Sequence, residues 1–229
     1  MKTILVTGAA GGLGKTVVQY LLDKEYRVIA TVRKESDVQQ FDKHAALRIE
    51  VLDLANEWAV ASFADRLSGE AAGVDAAFFL AGGFTMGSVE ETGLEDIRRM
   101  IALNFETAYL LARPLFGHMK KKGWGRLVFI GAQAPLMPAK AKHMLAYSLS
   151  KSLLFSLAEA LNADAKGTNV TASVVVPGTI DTEQNRKAMP DADTSQWVTP
   201  TELAQSLHFL VSPESNALRQ TVLKAYKDL

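Results

Sequence analysis

The chain has 229 residues, 25 Lys plus Arg against 25 Asp plus Glu, and no cysteine. Zero formal net charge gives no electrostatic case for nucleic acid or an anionic membrane as partner. The absent thiols exclude disulfides, thiolate nucleophiles, zinc–thiolate sites and iron–sulfur clusters. Apolar stretches are broken well short of the ~20 residues a membrane span needs, so a cytoplasmic chain whose mature form starts at Met1 is expected. A hydrophobic content of 48% suits one large α/β domain over residues 1–229.

In chain order, strands are predicted at Thr3–Val6, Arg27–Val32, Ala46–Val51, Ala76–Leu80, Arg126–Ile130, Val170–Val176 and Thr221–Ala225. Helices are predicted between them at Leu13–Lys24, Asp37–Asp42, Asn56–Leu67, Leu94–Lys121, Ala141–Ala165 and Thr201–Leu210. Unbroken apolar strands such as Val174-Val175-Val176 are those of a parallel sheet covered on both faces. The expected fold is a single doubly wound, Rossmann-type parallel sheet of about seven strands with helices on both faces. Residues 178–200, rich in Asp, Thr and Pro, lack periodicity and are expected to form a loop that acts as a lid.

Between the first strand and first helix stands Thr7-Gly8-Ala9-Ala10-Gly11-Gly12-Leu13-Gly14. Glycines there allow a tight turn and a close backbone approach to a pyrophosphate, and the helix N-terminus offers N–H groups and a positive dipole. Gly8, Gly12, Leu13 and Gly14 are therefore candidate nucleotide contacts. At the end of the second strand an acidic residue would bind ribose hydroxyls and repel a 2′-phosphate. Here the chain has Val32-Arg33-Lys34. Arg33 and Lys34 offer cations to a phosphate, so NADP(H) is the preferred cofactor and NAD(H) the alternative.

Tyr147 and Lys151 lie four residues apart in a helical pattern and face the same side. An ammonium beside a phenol is expected to favour the phenolate and bring its pKa toward the working range. Histidines 44, 118, 143 and 208 are scattered without ligand spacing, so no metal site is expected.

The Thr-Gly-x-x-x-Gly-x-Gly spacing together with Tyr-x-x-x-Lys resembles the short-chain dehydrogenase/reductase family. That resemblance implies an oxidoreductase in which Tyr147 donates a proton, Lys151 also holds the nicotinamide ribose, and Asn104 positions a relay water. It further implies cofactor contacts at Asp53-Leu54, at Ala81-Gly82-Gly83, where Leu80 replaces the family's Asn, and at Pro177, Gly178, Ile180 and Thr182. The family normally places a substrate-binding Ser after the fifth strand, where this chain has Ala132 followed by Gln133. Within the family, the Ser-less loop resembles the dihydropteridine reductases. So do Asp181, Thr182, Asn185, Arg186, Lys187, Met189, Pro190, Ala192, Asp193, Ser195 and Trp197 by their spacing. A quinonoid dihydropterin is the implied substrate, touching Ala132 and Gln133 and covered by Met189 or Trp197. The alternatives are a carbonyl reductase for a small ketone or aldehyde and a catalytically silent nucleotide-binding regulator. The family also implies a homodimer or homotetramer through Leu94–Lys121 and Ala141–Ala165.

Overall fold

The structure is a computed structural model, and it describes residues 1–69 and 73–227. Seven strands, β1 (Thr3–Thr7), β2 (Arg27–Val32), β3 (Leu47–Val51), β4 (Ala76–Phe79), β5 (Trp124–Ile130), β6 (Asn169–Pro177) and β7 (Val222–Ala225), form one sheet. Their order is β3-β2-β1-β4-β5-β6-β7 and every pairing is parallel. The order reverses at β1, so the C-terminal ends of β1 and β4 part around a crevice, the usual ligand position in such sheets.

Alternate residues of each strand feed opposite layers, as strand geometry requires. Ile4, Val6, Val128 and Val175 pack with Val17, Val18 and Leu21 of α1 (Gly12–Asp23). On the other face, Leu5, Phe79, Leu127, Phe129 and Val174 pack with side chains from three further helices. Phe79 and Phe129, paired across β4 and β5, stack with centroids 4.8 Å apart.

The remaining helices in chain order are α2 (Glu35–Val38), α3 (Glu57–Gly69), α4 (Leu94–Ile101), α5 (Thr107–Lys122), α6 (Pro138–Ala141), α7 (Leu145–Asp164), α8 (Glu183–Ala188) and α9 (Pro200–Phe209). Three differ from the sequence expectation. The predicted helix at Asp37–Asp42 is a single turn that starts earlier and is followed by turn hydrogen bonds from Gln40 to Asp37 and from Phe41 to Val38. The helix expected over Leu94–Lys121 is interrupted at Ala102–Glu106 by a π turn, in which the Thr107 N–H reaches back to the Ala102 carbonyl. The helix expected from Ala141 starts at Leu145; α6 precedes it, and Gly87 pairs with Met144 in an isolated bridge between them and the β4 loop.

Residues 178–200 are also more ordered than a structureless loop. Ile180 and Val198 form a bridge, the Thr182 hydroxyl caps α8 by accepting from Asn185 N–H, and Asn185 Nδ2 donates to the Ile180 carbonyl. Local ion pairs between Arg186 and Asp181 and between Lys187 and Glu183 occupy the segment's cations.

Candidate active site

The crevice at the ends of β1, β2 and β4 is a cleft of about 350 Å³. Its walls include Gly8, Gly11, Thr31, Arg33, Asp37, Asp53, Leu54, Ala81 and Gly82, so four stretches distant in sequence meet there. Gly8 has φ +64°, and a Cβ on it would lie 2.8 Å from the Ala81 nitrogen. Any side chain there meets both strain and backbone. A Cβ on Gly12 would lie 2.8 Å from Thr182 Cγ2, so the start of the 178–200 segment stands directly over the glycine turn. The Gly11 N-cap makes no side-chain cap bond and the first turn of α1 carries no acid. Its N–H groups and positive end therefore face the cleft without a competing anion. Thr31 is 1% exposed and its Oγ1 has no protein partner. A bare helix N-terminus, a glycine cradle and an unused hydroxyl in one cleft fit a nucleotide bearing phosphates.

Arg33 lines the cleft, whereas Lys34 lies outside its walls. Asp37, unnoticed in the sequence because its role depends on the turn after β2, lines the same wall and accepts a bond from Gln40 Nε2 at 3.0 Å. The Asp53 carboxylate accepts from Ala55 N–H at 3.1 Å, which shapes the turn leaving β3.

Beyond the β4 end, side chains take over from backbone. Thr7 Oγ1 accepts from the N–H groups of Leu80 at 3.1 Å and Ala81 at 3.3 Å. This hydroxyl ties down the strand end that the missing Asn at Leu80 leaves without an amide. Two residues on, Gly83 N–H donates to Asn104 Oδ1 at 2.9 Å, and Asn104 Nδ2 donates to the Gly83 carbonyl at 3.1 Å and to Ser150 Oγ at 2.9 Å. Ser150 Oγ donates to the Tyr147 carbonyl at 2.8 Å. Asn104, 1% exposed, thus links the β4 loop, the π turn and α7. Its carboxamide is engaged with protein groups, so its side chain positions the loop. Thr7 and Ser150 were missed at the sequence level because their partners are 73 to 74 and 46 residues away.

On α7, Lys151 is 6% exposed and its Nζ donates to the Ile130 carbonyl at 2.8 Å, 6.0 Å from the Tyr147 ring centroid. Burial lowers its pKa from 10.5 to about 8. The Tyr147 ring meets Phe84 edge-on at 5.0 Å, and burial pushes its pKa up to about 12. This corrects the expectation that Lys151 draws the phenol toward the working range. In the free protein desolvation of the phenolate outweighs the neighbouring ammonium, whose hydrogen bond goes to a carbonyl. Tyr147 therefore stands neutral at pH 7, the form that gives up a proton.

Ala132, 6% exposed, follows β5 where a hydroxyl was expected, and Gln133 Oε1 accepts from Lys140 Nζ at 2.6 Å. Of the residues expected over a substrate, Met189 is 39% exposed and Trp197 is 7% exposed. Among the described residues no group of three or more His, Asp or Glu could hold a metal, and no helix is long and apolar enough to cross a membrane.

A family model described as short chain dehydrogenase matches residues 2–193. The chain belongs to this family. It is an oxidoreductase with relatives of varied chemistry. It is 28% identical to the uncharacterized oxidoreductase YvaG of Bacillus subtilis, over 98% of this chain and 94% of that one. It is 27% identical to a dihydropteridine reductase of Dictyostelium discoideum, covering 90% and 86% of the two chains. An acetoacetyl-CoA reductase of an Acinetobacter strain is 28% identical, covering 92% and 90%. Among solved structures, a short chain dehydrogenase/reductase family oxidoreductase from Burkholderia thailandensis superposes with TM-score 0.87 at 26% identity, covering 99% and 91% of the two chains. The structure of ElxO with NADP bound shares the fold, with TM-score 0.89 at 22% identity over 97% and 96%.

Proposed function

We propose that this short chain dehydrogenase is an NADPH-preferring reductase of a quinonoid dihydropterin, with Tyr147 as proton donor. The observation that carries the reading is Ala132, an apolar residue at the position where a ketone-reducing member holds its substrate by a hydroxyl. A conjugated dihydropterin, with no simple ketone to anchor, suits such a site. The dihydropteridine reductase among the relatives and the residue pattern over 181–197 support the same substrate.

The cofactor would lie in the cleft at the ends of β1, β2 and β4. Gly8, Gly12, Leu13 and Gly14 would receive its pyrophosphate on the N-terminus of α1, with Asp53, Leu54, Ala81, Gly82 and Gly83 beside the adenosine half. Pro177, Gly178, Ile180 and Thr182 would border the nicotinamide half, and Lys151 its ribose. NADP bound to ElxO supports phosphate-bearing nucleotides as ligands of this fold. Arg33 in the cleft wall supports the 2′-phosphate, with Asp37 opposing it from the same wall. When bound, the reduced nicotinamide supplies a hydride, hence two electrons, to the electrophilic carbon of the substrate. The chain's part is the proton. As charge builds on the adjoining heteroatom, the Tyr147 O–H bond breaks toward it, and the Lys151 ammonium steadies the phenolate left behind. Dry walls around Tyr147 strengthen that attraction. Asn104 and Ser150 keep the β4 loop and α7 in register while this happens.

The test is oxidation of NADPH and NADH, in parallel, by purified protein given freshly generated quinonoid dihydropterin. Saturable turnover that Tyr147→Phe abolishes, faster with NADPH, is the expected result. Cofactor binding without turnover above the Tyr147→Phe control would overturn the substrate. The acetoacetyl-CoA reductase match supports a second reading, a carbonyl reductase, and a panel of ketones and aldehydes in the same assay separates the two. Exposed Leu94, Tyr109 and Leu149 on α4, α5 and α7 support a homodimer or homotetramer through those helices.

A further inference from the structure

The loop leaving β5 holds an unused hydrogen-bond donor beside the position that lacks a hydroxyl. Gln133 directly follows Ala132 and lies three residues beyond Ile130, whose carbonyl holds Lys151 Nζ. Its carboxamide is oriented by chemistry. An ammonium has only donors, so Lys140 Nζ at 2.6 Å must face the amide oxygen, and Nε2 is turned the other way. That Nε2 is shielded from water and has no hydrogen-bond partner. Burying a donor without a partner is costly, and such groups in folded proteins call for an explanation. Placing a cation on the oxygen polarises the amide and makes its N–H groups better donors. Both halves of the arrangement act in one direction: they prepare an N–H for an acceptor that the protein itself does not supply.

We propose that the Gln133 carboxamide replaces the missing hydroxyl as the substrate's hydrogen-bond donor, with Lys140 as the residue that positions it. The proposal rests on the reductase reading above. Nε2–H donates to the substrate heteroatom that gains charge as hydride adds to the neighbouring carbon, and Tyr147 delivers the proton. Lys140 comes from α6, in the stretch between β5 and α7, so this stretch supplies to the site what the β5 end lacks.

Gln133→Glu separates this role from loop packing, because a carboxylate keeps the shape and the partner for Lys140 but cannot donate. With turnover of dihydropterin or of a ketone as readout, Gln133→Glu is expected to lower kcat/KM about 10²-fold, the usual loss for one donor to a developing charge. Its cofactor affinity, followed by nicotinamide fluorescence, and its thermal midpoint are expected to match wild type. Adding Ala132→Ser to Gln133→Glu restores a donor and is expected to recover at least about tenfold of the loss. Lys140→Met leaves the amide unoriented and is expected to show a smaller fall, chiefly in kcat. Wild-type kcat/KM in Gln133→Glu, or a loss that Ala132→Ser leaves unchanged, would overturn the proposal while leaving the reductase reading in place. A wild-type protein that binds cofactor but turns over neither dihydropterin nor any carbonyl would remove both.

Discussion

The two halves of the crevice are made of different material. On the β1–β2–β3 side, the wall rests on backbone: a left-handed Gly8, a bare helix N-terminus and strand-end turns, each made by contiguous residues. On the β4–β5 side it rests on side chains from distant segments, with Asn104 joining Gly83 to Ser150 and Lys151 joining α7 to Ile130. The first half needs shape, and remains open enough for charges such as Arg33 to stay hydrated. The second is dry, so burial governs protonation there, holding Tyr147 neutral and bringing Lys151 to about 8.

Substitutions that strike one half and spare the other test this division. The largest effect is expected from Tyr147→Phe, which should lower kcat by roughly 10²- to 10⁴-fold while nucleotide affinity, read by fluorescence titration, stays within about twofold. Arg33→Ala should do the reverse, cutting the NADPH-to-NADH ratio of kcat/KM by on the order of 10- to 100-fold, the worth of a charge-assisted bond to phosphate, with little change in kcat. Equal damage to both parameters from either variant would break the comparison.

Asn104→Ala removes the clasp on Gly83 and leaves a backbone N–H and a carbonyl without partners. A stability loss of roughly 1–3 kcal/mol in denaturant melts is expected, with the Arg33-dependent selectivity unchanged. The dry half also predicts a pH profile. Lys151 carries its ammonium below its lowered pKa of about 8 and loses it above. Reduction measured as kcat/KM is therefore expected to fall about tenfold per pH unit above that value, and Lys151→Arg, which stays charged, should move or erase the limb. The same depression has a stability sign. Between about 8 and 10.5 the unfolded chain holds this proton and the folded one does not, so the Lys151 contribution to stability rises with pH. The smallest effect is expected from Asp37→Asn, a few-fold rise in NADPH preference as a carboxylate on the same wall as Arg33 is neutralised.

Much of the crevice was legible in the residue string wherever its signals are local. The glycine turn between a strand and a helix, the cations after Val32 and the Tyr147–Lys151 spacing are read within a few residues. Gly123, in left-handed conformation after Lys120, Lys121 and Lys122, likewise ends α5 as a basic helix end before glycine should. What escaped was contact at long sequence separation. Asn104 was picked out, but the π turn around it, its clasp on Gly83 and the hydroxyls of Thr7 and Ser150 depend on packing between elements. The burial of Trp197 escaped as well, because exposure cannot be read from residue type. The phenol pKa was misjudged for a related reason: four-residue spacing gives proximity, whereas the balance of attraction and desolvation depends on the burial of the whole site.

The sequence by itself determined the α/β alternation, the glycine turn between β1 and α1, the family and the one-turn spacing of Tyr147 and Lys151, since each depends on residue type at short spacing. Only the tertiary structure decided that Tyr147 is kept neutral, that Thr7 and Asn104 hold the β4 loop, and that Lys140 turns the Gln133 amide so that Nε2 is left free. Those outcomes arise from burial and from hydrogen bonds between segments far apart in the chain, which exist only once the sheet has brought its strand ends together.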